Sequence, residues 1–86
     1  MLKIAWDMTD SQGMAVIWET KTDTETGKCI RFEPIEFSMP QWLEETEKKK
    51  RFIDAIKRRK EAYKEEFPEA FVSEHINEEE CYILMK

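Results

Sequence analysis

Two cysteines in 86 residues are too few for the disulfide frameworks that staple small secreted domains. A bridge between Cys29 and Cys81 is conceivable, but nothing in their setting favours it. No apolar run approaches the ~18 residues a membrane-spanning helix requires. The amino terminus reaches Asp7 before any apolar signal core can form. These absences predict a cytoplasmic protein with free thiols and no membrane contact. The two glycines, Gly13 and Gly27, are isolated turn residues, so the phosphate-cradling loops of nucleotide enzymes are excluded. His75 is the one histidine. Zinc takes four ligands, usually from close pairs, whereas here the two cysteines lie far apart, so no metal or other cofactor is indicated. Nor is a small-molecule ligand.

What is present is enough to fold. The chain is 41% hydrophobic with 12% aromatic residues, too rich for a disordered segment despite 38% charge. Area scaling for a chain of this mass gives a folded surface of roughly 5,400 Å² against roughly 15,000 Å² unfolded. That describes one thin core in a single domain over 1–86.

Residues 2–8 alternate, with Leu2, Ile4, Trp6 and Met8 on one face, the mark of a half-buried strand. Turn chemistry over 9–13 leads to a second alternating run. There Met14, Val16, Trp18 and Thr20 are read as the inner face, and Ala15 and Ile17 as the outer. A polar turn at 23–27, closed by Gly27, precedes a third strand to about residue 37. Pro34 cannot donate to a ladder and marks an edge or a bulge, after which Ile35 and Phe37 resume on a shifted phase. The region 1–37 thus reads as a β-meander.

Ser38 followed by Gln41 has the form of a capping box, with Pro40 tolerated in a first helical turn. Pro68 stops the segment. A helix is predicted over about 39–66 (helical region 38–67), roughly 40 Å long at 1.5 Å per residue. Trp42, Phe52, Ile53, Ile56, Tyr63 and Phe67 fall on one stripe facing the sheet. Trp6 and Trp18 are expected opposite Trp42. The eight polar residues 44–51 leave two turns with little to bury, so the helix either projects there, breaks, or meets a partner. In the terminal region 68–86, residues 70–77 read equally as helix or strand, and 80–85 as a strand added to the meander. The fold class is α+β, a small antiparallel sheet (β-β-β-α-β) with one long, highly charged amphipathic helix on one face.

Charge is distributed unevenly. Residues 1–47 carry a net −6, residues 48–60 a net +7 and residues 61–86 a net −6, for a total of −5. The basic segment holds Lys48, Lys49, Lys50, Arg51, Lys57, Arg58, Arg59 and Lys60, the candidate partner-binding residues. Such a cluster supplies the phosphate-binding component of nucleic-acid affinity or a surface for an acidic protein. It also fits a helix that neutralises itself. Glu44–Lys48, Glu45–Lys49, Glu47–Arg51 and Asp54–Arg58 are spaced i, i+4 with the acid first, worth about 0.2–0.5 kcal/mol each. The acidic remainder opposes a polyanion and no nucleic-acid motif accompanies the run. That acidity also admits mimicry of DNA by an inhibitor.

No catalytic constellation stands out. A Cys81–His75 pair is the one nucleophile–base combination the sequence offers, and Cys81 reads more simply as a packing residue. The function expected is a non-enzymatic interaction or regulatory module that binds a protein partner or itself, of the kind found among short accessory or inhibitor proteins of phages and mobile elements. The alternative is nucleic-acid binding through 48–60. Self-association would bury the outer sheet face, assigned to Ala5, Ala15 and Ile17, or an overhanging stretch of helix.

Overall fold

The alternation at 2–8 becomes the first strand of the computed structural model, β1 (Leu2–Ser11). It is followed by β2 (Met14–Asp23), β3 (Cys29–Pro40), α1 (Glu45–Glu66), β4 (Phe71–Ile76) and β5 (Cys81–Met85). The structure describes residues 1–11, 14–40 and 42–86, leaving aside the side chains of 11 and 36–40. Every pairing is antiparallel, in the order β3-β2-β1-β5-β4. The fold is α+β, a five-stranded antiparallel sheet with one helix packed on one face. Its surface of 5925 Å² is close to that expected for a folded chain of this mass. The run expected over 80–85 is a strand of the sheet, β5, which pairs with β1, and the undecided stretch is a strand, β4, on its far side.

The turn at 23–27 forms as read. Gly27 takes φ +72° and donates to the Asp23 carbonyl at 2.8 Å, a backbone conformation that costs any residue with a Cβ. The turn expected over 9–13 is shorter, because β1 continues through Thr9 and Asp10 to a Ser11–Met14 pair; residues 12 and 13 lie outside the described residues. β3 is an edge strand and slips register against β2 between Ile17 and Trp18, beside Pro34. Bulging there spares the ladder a donor that proline lacks. The Ile35 side chain packs against the core; that of Phe37 lies outside the described residues.

The helix begins later than predicted. Ser38 and Pro40 belong to β3, so Ser38 does not stand at the helix cap, and Gln41 lies outside the described residues. The cap position is Glu44, whose side chain makes no capping hydrogen bond. Twenty-two residues give about 33 Å of helix, within the 39 Å long dimension of the molecule. The helix therefore does not outrun the body, and residues 45–51 are neither broken nor projecting.

Ala55 and Ile56 of α1 pack with Ile4 and Trp6 of β1, Ala15 and Ile17 of β2, and Ile83 and Met85 of β5. In an antiparallel pair, directly opposed residues share a face, and the register pairs Trp6 with Glu19 and Met8 with Ile17. The helix-facing residues of β2 are thus Ala15, Ile17 and Glu19. Trp18 pairs with Asp7 and lies on the opposite face, stacked on Phe32. The phase assigned to β2 from sequence is inverted, and with it the assignment of Ala15 and Ile17 to the outer face, since both are fully buried. Trp42 precedes the helix and is 81% exposed, and Phe67 at the far end is also exposed. Neither belongs to the stripe, which is carried by Phe52, Ile53, Ile56 and Tyr63.

Candidate functional site

The eight candidate cations do not form one patch. Lys48 sits at the inner side of the first helical turns with its side chain 4% exposed. Its aliphatic stem covers apolar surface, while its ammonium lies 3.7 Å from Asp10 and 3.6 Å from Glu45. This is what the polar stretch buries. Arg59 reaches down to Glu19, and Lys60 bridges Glu74 on β4 and Glu61, both at 3.0 Å. Arg51 pairs with Glu47 along the helix surface at 3.3 Å. Arg58 is exposed and also has a partner. Lys49, Lys50 and Lys57 are exposed and form no ion pair with any described residue.

The Arg59 contact is the most buried polar cluster. Glu19 is 1% exposed, and both its oxygens are satisfied. Trp6 Nε1 donates to Oε1 at 2.9 Å and Arg59 Nε to the same atom at 3.2 Å. Arg59 Nη2 and the Tyr63 hydroxyl donate to Oε2 at 2.9 and 2.8 Å. Burial pushes the carboxyl upward, but the hydrogen bonds from Arg59, Trp6 and Tyr63 outweigh it, and Glu19 titrates below its ordinary 4.5. Burial, then the bond to Glu19, drives the Tyr63 phenol upward. The cluster ties the helix to β1 and β2.

Between α1 and the β4–β5 turn runs a groove of about 480 Å³, within the usual size of ligand and peptide sites. Phe52 and Ile53 of the helix, Ile76 of β4 and Cys81 of β5 give it apolar walls, and Lys49, Lys50 and Lys57 line it from the helix side. Asp54 and Glu78 are the acidic residues in the lining. The turn that forms the opposite wall is held firmly: Asn77 Oδ1 accepts from the amides of Glu79 and Glu80 at 2.8 and 2.9 Å, and the Asn77 amide donates to the Glu80 carbonyl at 2.8 Å. The three candidate lysines that form no ion pair with a described residue thus converge on one largely apolar concavity whose far side is a hydrogen-bonded turn.

Cys81 and His75 do not meet in a dyad. Cys81 pairs with Ile76 while His75 pairs with Tyr82, so strand alternation sends the thiol to the helix side and the imidazole to the other. His75 stacks on Tyr82 at 4.5 Å and shares a hydrogen bond with Ser73 Oγ. Burial raises the Cys81 thiol above its ordinary value, the opposite of what a nucleophile needs. Both cysteines are free thiols, and among the described residues no helix is long and apolar enough to cross a membrane.

The architecture is that of a small two-layer α+β domain with a concave site between its helix and its terminal hairpin. Comparison with protein-family models, with curated proteins and with solved structures finds no match, so the functional reading rests on these residues. The sequence contained the three lysines of the groove but not their grouping. The groove's far wall comes from 76–81, and Glu19, the anchor that diverts Arg59, shares the phase of Ala15 and Ile17, assigned from sequence to the outer face of β2.

Proposed function

We propose that the chain is a small, non-enzymatic, cytoplasmic interaction module that holds an acidic, amphipathic segment of a protein partner in the groove between α1 and the β4–β5 turn. The observation that carries this reading is the convergence of Lys49, Lys50 and Lys57, unpaired among the described residues, on the wall formed by Phe52, Ile53, Ile76 and Cys81. Apolar side chains of the partner segment fill the concavity, and carboxylates beside them meet the lysines. The apolar contact supplies affinity, and the lysines supply selectivity and association rate. The rigid Asn77 turn keeps the ordering cost of binding low.

Nucleic-acid binding through the same helix is the second reading, supported by the exposure of Lys49, Lys50, Arg51, Lys57 and Arg58. It is the weaker one, since Lys48, Arg59 and Lys60 are engaged within the fold, Glu47 pairs with Arg51, and Asp54 is interleaved with the remainder. Five phosphate contacts at most would give a log–log salt slope of about −4.5 for duplex DNA.

Fluorescence polarisation separates the two. The probes are labelled acidic amphipathic peptides, the same peptides with lysine in place of each acid, and a labelled duplex. The expected result is binding of the acidic peptides alone, lost in a Lys49→Glu/Lys50→Glu/Lys57→Glu variant. Equal affinity for acidic and basic peptides would overturn the reading. Retention of the duplex with a steep salt dependence, and of no peptide, would install the alternative.

A further inference from the structure

A second surface lies on the other side of the sheet. Ala5 pairs with Thr20 and with Tyr82, Thr20 pairs with Phe32, and Asp7 pairs with Trp18, so all of these share the face turned away from α1. The one helix among the described residues is committed to the opposite face. Phe32 is 61% exposed and stacks on Trp18 with ring centroids 4.6 Å apart and planes within 5°. Tyr82 carries Lys3 Nζ 4.4 Å from its ring centroid. An aromatic sheet face with no helix upon it marks a contact surface.

We propose that the cover is a second copy of the chain, docked face to face about a two-fold axis that crosses β1 at Ala5. Lys3 and Asp7 stand on this face, two residues to either side of Ala5. A two-fold axis lying between the sheets and across the strands exchanges the two sides of Ala5. Each copy's Lys3 then lies over the other copy's Asp7. The surface is its own electrostatic complement, which is what an isologous contact requires. Rows of side chains at the level of Ala5, with Tyr82 on one side and Phe32 on the other, face their own images, allowing for the ~30° angle between packed sheets.

With the axis at Ala5, about seven residues of each of β1, β2 and β3 and about three of each of β4 and β5 overlie their images, roughly 350 Å² in plan at about 4.8 Å between strands. Side-chain relief raises that into the range of small, weakly associating interfaces, below ~600 Å² per partner. A single-stranded nucleic acid stacked on the aromatics is less well matched. Trp18 and Phe32 already use one ring face each on the other, Lys3 is offset by Asp7, and the chain carries −5 overall. Closing this face leaves both grooves of the dimer open on its outer sides, which makes the assembly bivalent toward a partner with repeated acidic segments.

Sedimentation velocity of the full chain, from low to high micromolar concentration, tests the proposal. The expected result is a concentration-dependent dimer. Lys3→Asp and Asp7→Lys should each weaken it about tenfold, because each change replaces two cross-copy attractions with two repulsions. The combined Lys3→Asp/Asp7→Lys exchange should restore it. Phe32→Asp, at an exposed position where folding is not at stake, should abolish it, whereas the groove variant Lys49→Glu/Lys50→Glu/Lys57→Glu should leave it intact. A monomer throughout, a dimer indifferent to Phe32→Asp, or a charge exchange that fails to restore association would each overturn the proposal. So would a labelled single strand that binds the wild type as a monomer and is lost in Phe32→Asp.

Discussion

Lys49 and Arg59 sit ten residues apart on one helix and meet opposite fates. Arg59 turns inward to a buried carboxylate, with Tyr63 and Trp6 completing its shell. Lys49 faces solvent at the edge of an apolar groove. The same division separates Lys48 and Lys60, which have carboxylates within 4 Å, from Lys50 and Lys57, which form no ion pair among the described residues. A basic run is therefore not one functional unit. Where the sheet presents acid beneath the helix, the cations hold the fold together, and where it presents Ile76 and Cys81, they remain available to something else.

The comparison breaks most sharply at Arg59. Arg59→Met leaves Glu19 buried with two of its donors gone. The expected loss is about 2–3 kcal/mol in denaturant unfolding, below the 3–5 of a fully enclosed pair because the guanidinium is 40% exposed. Adding Glu19→Gln to that variant should recover part of the loss, since the stranded charge is then removed. A loss below ~0.5 kcal/mol would place Arg59 with the available cations.

Lys48 is the next test. Lys48→Ala should cost about 1–2 kcal/mol through its buried stem, while Lys48→Met, which keeps that stem, should cost little. If both variants cost the same, the charge rather than the packing matters at that site. By contrast, Lys49→Glu/Lys50→Glu/Lys57→Glu should change thermal stability by no more than about 0.5 kcal/mol per position, with its effect confined to binding.

The acid limb of stability sharpens the comparison further. Glu19 titrates below 4.5 when folded, so the folded state binds fewer protons than the unfolded chain between the two values. Its contribution is fully present above pH 4.5 and is lost as pH falls through the folded value. Glu19→Gln should flatten the stability profile of that acid window, and an unchanged profile would mean that other carboxylates govern acid unfolding.

Much of the frame was legible. Clean alternation fixed β1, and turn residues fixed the 23–27 corner. Pro34 announced the irregular edge strand, and Pro68 the end of the helix. The error in β2 arises because register is decided by pairing and not by the strand alone. In β2 both phases carry apolar residues, and Trp18 outweighs Ala15 and Glu19 in bulk. Yet the Ser11–Met14 pair leaves only two residues between strands, so even-numbered positions of β1 must face odd-numbered positions of β2. That parity would have placed Glu19 beside Trp6 and under the helix. The helix start failed differently. Ser38, Pro40 and Gln41 satisfy a local capping pattern, but pairing with β2 holds 39 and 40 in the sheet, and tertiary pairing outranks a cap worth about 1 kcal/mol. The groove was not legible at all, because its two sides lie about 19 to 35 residues apart in the chain and meet only when the helix packs on the sheet.

Amine-reactive footprinting of the native protein, read lysine by lysine by mass spectrometry, tests the division of the helix most directly, because it needs no partner. Lys49, Lys50 and Lys57 should label rapidly and together, and Lys48 and Lys60 should lag by an order of magnitude until denaturant is added. Labelling of Lys48 and Lys60 at the rate of the other three would contradict the account.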